Sequence, residues 1–374
     1  MGTATKIEWT DNTFNPWRGC AKVHTGCANC YAEREAKRFA SNRGVWGVNG
    51  TRVLASEAIW REPFKWNREA EKAGENTRVF CASLADIFED WPGQLQNTKG
   101  ELLWFHSPEP PGGYGGKLFR SHSVPVSKEG SLIPNPHESF EPSTLNAVRG
   151  DLFDLIDRTP FLTWQILTKR PENIRRMWPT FALMPQYQRA QHAIASGGDH
   201  VAMSVDPTPR RTNVHLLYSA SDQQSFDSGC AHIIGCGDLV PVIGLSLEPL
   251  VGPIVIPSEL LQPIQGTSQH GKRFIDWVIV GGESGPHARP CNIEWIRSIV
   301  AQCKAAGVAC FVKQLGSNIE DGYLQAEKWM KLGAREIVGM AGKTFVKLQD
   351  TKGGDWNQWP EDLRVREMPE VPRV

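Results

Sequence analysis

Cys20, Cys27 and Cys30 are spaced C-x6-C-x2-C near the start of the chain. Cysteine thiolates hold iron–sulfur clusters, and a closed ferredoxin-type site uses four of them. Three close cysteines without a near fourth suit a [4Fe-4S] cluster that keeps one iron open to a small molecule. The usual occupant of such an iron is S-adenosylmethionine, a cofactor of radical chemistry. Zinc is the competing reading, because a structural zinc takes four ligands and a catalytic zinc takes three plus water. His24 lies inside the triad and would complete a Cys3His set if the loop folded back on itself. A third reading leaves the thiols unligated. Cys81, Cys230, Cys236, Cys291, Cys303 and Cys310 are scattered and read as buried apolar thiols. Cys230 and Cys236 alone are close enough to suggest a second small metal site.

Short apolar runs alternate with helical stretches, which predicts an α/β fold with a parallel sheet. The expected strands are Ile7–Thr10, Arg78–Ser83, Phe161–Leu167, His200–Val205, Val240–Leu247, Asp276–Val280 and Ala309–Val312. A helix is expected over Cys30–Phe39 and another over Leu324–Lys331. Each strand runs into polar residues: Ser83 and Asp86, Lys169 and Arg170, Ser204 and Asp206, Glu248, Glu283, then Lys313 and Gln314. Seven such strands predict a full or partial parallel β/α barrel, whose site lies at the carboxyl ends of its strands. An open doubly wound sheet is the alternative, and it too binds ligands beyond the carboxyl ends.

That arrangement assigns roles. Ser83 and Asp86 are expected to accept from the amino group of S-adenosylmethionine, and Lys169 or Arg170 to hold its carboxylate. Ser204 and Asp206 are grouped with these cofactor contacts. Gly281, Gly282, Glu283 and Ser284 follow a buried strand. Their glycines would let backbone approach a ligand, and the glutamate would accept from ribose hydroxyls or an amine. Glu248, before Pro249, is expected to point into the mouth or to pair with Lys169 or Lys313. Lys313 and Gln314 close the barrel and are expected to meet substrate. The 14 tryptophans read first as packing and second as a base-stacking surface.

The bulk properties exclude some classes. Lys and Arg total 41 and so do Asp and Glu, so bulk attraction to a polyanion is not expected. No run approaches the roughly 18 apolar residues of a membrane helix. Met1–Lys6 has no leader core, and nine cysteines fit a reducing compartment, so a cytoplasmic location is expected. Residues 1–316 are read as the catalytic domain, with lid insertions over about 91–146 and 207–238. Residues 317–374 are read as an extension packed on the barrel. Ala341-Gly342-Lys343-Thr344 has the ending of a phosphate loop but lacks its first glycine at the right spacing.

Several segments together resemble the phage and prokaryotic three-Cys-motif family, a domain of unknown function. They are Ile7 to Trp17, Gly19-Cys20, Gly26 to Glu33, Leu167 to Pro171, Leu245 to Leu250, Trp277 to Gly285, Lys313-Gln314 and Trp359 to Arg366. The resemblance implies a radical-SAM-like protein, similar in that sense to enzymes such as spore photoproduct lyase, and a three-Cys-motif partner protein. The 91–146 insertion is longer than the family pattern. Met203-Ser204-Val205-Asp206-Pro207 departs from the usual Ser-Val-Glu-Asx. The expectation is therefore an enzyme that cleaves S-adenosylmethionine reductively, with a reductant protein as partner and, by analogy, a nucleic-acid or nucleotide substrate. The rivals are a nucleic-acid-binding protein with a structural metal and a hydrolase or nuclease using Asp86, Glu248 and Glu283 with a divalent metal.

Overall fold

The computed structural model describes residue 5 and residues 7–37, 44–106, 122–123, 140–179, 210–264, 272–322, 326–340 and 342–370. Seven parallel strands form its centre: β1 (Asn12–Thr13), β2 (Thr77–Cys81), β3 (Leu162–Thr168), β4 (Val214–Ala220), β5 (Val242–Leu247), β6 (Trp277–Gly281) and β7 (Ala309–Gln314). Each pairs with the next in chain order. Unbroken chain order is the order of a β/α barrel, whereas a doubly wound sheet reverses direction at a switch point. Among the described residues β1 and β7 do not pair, so the sheet is a half-barrel.

The strands alternate inward and outward with a period of two. In β3, Leu162, Trp164 and Ile166 face the large core, which also holds Val214, Leu216 and Tyr218 of β4. The other parity forms a separate inner cluster of Phe80, Leu217, Val242, Trp277, Ile279 and Phe311, with Trp9 packed on Phe80 at 4.7 Å. Both faces are thus covered, which is why these strands read as continuous apolar runs. At the carboxyl ends of the strands and one residue past them, the inner parity reaches Lys169, Ser219, Glu248, Gly281 and Lys313.

Helices fill the crossovers. Glu57–Ala73 lies between β1 and β2 and ends at Gly74, whose φ of 70° is left-handed. Gln223–Ile234 follows β4 behind a capping box at Asp222 and Ser225. Ile293–Ala306 follows β6, capped by Asn292, whose side chain accepts from Glu294 N.

Three expectations are corrected. Ile7–Thr10 is not a strand; the first strand is Asn12–Thr13, and Trp9 plugs the inner cluster instead. The fourth strand of the sheet is Val214–Ala220, while His200–Val205 lies outside the described residues. The 207–238 segment therefore contains a central strand and its helix rather than a lid. Val214-His215-Leu216-Leu217-Tyr218 is an apolar run broken only by His215, and Ser219 and Ser221 give its end the polar look of a loop. Of 91–146, residues 107–121 and 124–139 lie outside the described residues. Of the first expected helix the described residues form Tyr31–Ala36, and of the later one Ala326–Lys331; residues 38–39 and 324–325 lie outside the described residues.

The end of the chain returns to the barrel. Val312 N donates to Val365 O at 2.8 Å and Glu367 N to Cys310 O at 2.9 Å, with Phe311 and Arg366 in an antiparallel bridge. This covers the outer edge of β7, which would otherwise present unpaired backbone groups. The Arg366 guanidinium lies 5.2–5.5 Å from the rings of Phe311, Trp356 and Trp359. A second sheet joins Cys291–Asn292, Ile319–Asp321, Lys343–Leu348 and Ala334–Met340. Gly342, at φ 78°, lies in the turn of its hairpin, so the phosphate-loop ending is a hairpin turn.

Candidate functional site

The cysteine loop lies across the carboxyl ends of the strands and is tied to them along its length. Asn15 Oδ1 accepts from Leu84 N at 2.7 Å, and Tyr31 Oη donates to Ser83 O at 2.8 Å, both beyond β2. His24 Nε2 meets Ser219 O of β4 at 3.1 Å. Thr25 Oγ1 donates to Asp222 Oδ2 at 2.6 Å, on the carboxylate that caps the following helix. Asn29 Nδ2 donates to Glu283 Oε2 beyond β6 at 3.0 Å. A Cβ on Gly26 would stand 2.1 Å from Ser221 Oγ, so only glycine lets the loop approach β4 this closely.

Under the loop lies the inner row. Lys169 Nζ donates to Ser219 Oγ, and Ser219 Oγ donates to Glu248 O at 3.1 Å. Lys313 Nζ donates to Glu248 Oε2 at 3.1 Å. The other oxygen, Glu248 Oε1, is buried without a hydrogen-bond partner. A Cβ on Gly281 would lie 2.9 Å from it, so this glycine keeps space beside the carboxylate. A buried acceptor left open carries a desolvation cost that a donor-bearing ligand would remove.

Arg170 faces away from this row, as strand alternation requires. Its guanidinium donates to Asp86 Oδ2 at 2.9 Å, Glu89 Oε1 at 3.3 Å, Ala21 O at 2.8 Å and Cys20 Sγ at 3.5 Å. Asp86 accepts also from Thr168 Oγ1, Lys169 N and Phe88 N. Both residues are buried and spent on each other. The carboxylate-holding role expected of Arg170 and the amine-holding role expected of Asp86 therefore have no free group to serve them. Lys169 alone of that pair points into the barrel.

The remaining expected residues fall as follows. Ser83 Oγ is bonded to Asn15. Gly282 is packed so tightly that a Cβ would lie 2.2 Å from Leu315 O, which makes it a packing glycine. Gln314 Nε2 donates to Gly282 O at 2.8 Å. Glu283 is held bidentately by Arg289 at 2.7 and 3.0 Å, so it secures the loop. Ser284 is half-buried beside it. Ser204 and Asp206 lie outside the described residues. Sequence reasoning missed Ser219, Asp222, Asn29 and Arg289 as well as the buried Arg52–Glu89 pair. Asn29, between two cysteines, carried a local signal; Glu89 and Arg52 carried none. A surface recess of about 640 Å³ bordered by Asp11, Trp66, Glu69 and Arg78 lies at the opposite, amino-terminal ends of β1 and β2.

Electrostatics bear on the ligand sets. Burial, then the charge of Lys169, lowers His24 to about 4, so its ring is neutral near pH 7. Its Nδ1 accepts from Gly26 N at 3.0 Å, so Nε2 carries the proton given to Ser219 O. Both ring nitrogens are committed, which closes the Cys3His set. Burial pushes Cys20 up to about 12 against the pull of Arg170, and burial also raises Cys30. Among the described residues no three His, Cys, Asp or Glu side chains are arranged to hold a single metal ion. Asp86, Glu248 and Glu283 serve three different partners. Cys230 and Cys236 are buried in the core, and Cys236 Sγ donates to His232 O. The donor set of the loop is three soft thiols with Arg170 against Cys20. That chemistry fits an iron–sulfur cluster better than a hard cation.

The tryptophans are chiefly structural: Trp9, Trp17, Trp164, Trp277, Trp329 and Trp359 are buried.

Residues 4–95 and 136–358 match the model of a family described as a protein of unknown function (DUF5131). No curated protein matches the chain. Two solved structures are similar. One is a spore photoproduct lyase mutant with bound AdoMet and dinucleoside spore photoproduct, at 11% identity and a TM-score of 0.37, covering 93% of this chain and 71% of that one. The other is a second spore photoproduct lyase mutant, at 10% identity and 0.38, covering 94% and 72%. Likeness at this level says nothing about chemistry. No helix among the described residues is long and apolar enough to cross a membrane.

Proposed function

This chain belongs to the DUF5131 family, proteins of unknown function, and from the site it carries we propose an iron–sulfur enzyme that cleaves S-adenosylmethionine reductively to modify or repair a substrate. Cys20, Cys27 and Cys30 would hold a [4Fe-4S] cluster. The observation that carries the reading is the cysteine loop tied across the carboxyl ends of a parallel half-barrel, through Leu84, Ser219, Asp222 and Glu283, at the same end as the unpartnered acceptor Glu248 Oε1. When bound, the cluster supplies one electron and an iron that three thiolates leave open.

The chain's own residues supply binding and orientation. Glu248 Oε1 accepts from a ligand amine or hydroxyl, and Lys313, at 3.1 Å from Oε2, holds that carboxylate in place. Lys169, on the neighbouring wall, offers a cation to a carboxylate once it leaves Ser219. Glu283, Asn29 and Arg289 hold the loop down so that a ligand between loop and barrel is shielded from water. A nucleic acid or nucleotide is the substrate class that the family resemblance favours, with a reductant protein as electron source and a three-Cys-motif protein as further partner.

Anaerobic reconstitution with iron and sulfide, followed by electron paramagnetic resonance of the reduced protein, tests this. A four-iron signal that shifts when S-adenosylmethionine is added is expected. A colourless protein holding one zinc ion would overturn the proposal.

A further inference from the structure

We infer that Arg170 is a positioning residue for Cys20 and that it sets the reduction potential of the cluster. This rests on the cluster reading of the three thiols. Arg170 Nη2 donates to Ala21 O at 2.8 Å, while Ala21 N donates to Glu89 Oε1 at 2.8 Å. Both backbone polar groups of the residue after Cys20 are therefore held by opposite charges. Those charges also hold each other, at 3.3 Å. Arg170 Nη1 meanwhile reaches Cys20 Sγ at 3.5 Å and Asp86 Oδ2 at 2.9 Å.

The clamp is itself fixed from behind. Arg52, fully buried, forks onto Glu89 at 2.7 and 2.9 Å. Arg149 donates to Glu89 O at 3.0 Å and Ile87 O at 2.7 Å, fixing the segment that carries both carboxylates. A buried network satisfied on every side is rigid, and removing one member leaves a buried charge uncompensated. Cys20 is thus presented by a preset frame.

The consequence is electronic as well as geometric. A thiolate on a cluster gains negative charge when the cluster is reduced. A donor from a guanidinium to that sulfur stabilises the reduced form and raises the potential. Lys169 and Arg170 are adjacent in sequence, yet alternation sends one into the ligand space and the other to the cysteine.

The test compares Arg170→Lys with Arg52→Lys in reconstituted full-length protein. Midpoint potential is read by resonance titration, iron content by assay and fold by circular dichroism. Arg52→Lys disturbs the same network without touching Cys20. Expected is a fall of about 59 mV or more in Arg170→Lys, tenfold in the reduction equilibrium, with iron content retained and Arg52→Lys near the parent. Equal potentials in all three proteins, or equal shifts in both variants, overturn the inference. Should Arg170→Lys fail to fold, parent protein carrying 15N arginine decides: a guanidinium nitrogen coupled to the reduced cluster supports the inference, and its absence overturns it. A parent that takes up no iron sinks the cluster reading and this inference with it. A parent with a cluster and an unmoved Arg170→Lys sinks this inference alone.

Discussion

Asn29 Nδ2 donates to Glu283 Oε2 at 3.0 Å, joining the interior of the C-x2-C turn to a residue two positions past the sixth strand, 254 positions away in the chain. The same carboxylate takes Arg289, and Arg289 Nη1 donates to Thr25 O at 2.9 Å. One glutamate thereby secures the cysteine loop from both sides.

Glu283→Gln should weaken the loop rather than the barrel. Hydrogen bonds to charged groups contribute about 1.5–3 kcal/mol each, so iron retention after reconstitution should fall severalfold while circular dichroism stays that of the parent. Burial opposes ionisation of Glu283, but the bonds from Arg289 and Asn29 outweigh it and hold its pKa below the ordinary value. Its contribution is present above the unfolded carboxyl pKa and is lost as pH falls through the lower folded value. The gap in iron retention between parent and Glu283→Gln should therefore be full near pH 7 and narrow as pH falls through the carboxyl range, as followed by absorbance against pH.

Replacing Cys20, Cys27 or Cys30 with alanine should each abolish the four-iron signal. The loop keeps its ties through Asn15, Thr25 and Asn29, so the urea midpoint of the metal-free protein should move little. A single variant that still reconstitutes a full cluster would contradict the ligand assignment.

Glu248→Gln keeps the size of the side chain but replaces one acceptor oxygen with a donor. Affinity for S-adenosylmethionine, measured by calorimetry on reconstituted protein, should drop by about tenfold to a hundredfold, roughly 1.4–2.7 kcal/mol. Thermal stability should stay within a few degrees of the parent. Unchanged affinity would show that Glu248 Oε1 faces no ligand.

His215 makes acid stability a test of the barrel interior. It is buried with neither ring nitrogen bonded, and burial lowers its pKa to about 4. The unfolded ring titrates near 6.5, so between these values the unfolded chain binds the extra proton. Stability is complete above about 6.5 and is lost as pH falls through 4, by on the order of 3 kcal/mol. Urea melts at pH 7 and pH 4.5 should show His215→Leu losing clearly less stability than the parent.

Much of the scaffold was legible. Strands β2, β3, β5, β6 and β7 were anticipated to within a few residues, because apolar runs covered on both faces leave a strong local signal. β1 was misplaced because Ile7-Glu8-Trp9 has strand composition but serves as a plug. β4 was missed because Ser219 and Ser221 lie at its end and a competing apolar run preceded it.

Local order determined the three thiols, the polar strand ends and the parity that sends Lys169, Glu248 and Lys313 the same way. These depend on spacing and on a two-residue period, both properties of neighbours in the chain. Only tertiary structure decided that Arg170 serves Cys20, that His24 is spent on Gly26 and Ser219, and that Glu248 retains one open oxygen. Each is a matter of which charges and donors meet across long stretches of chain, and the energy of a buried polar group is set by those partners rather than by its own identity.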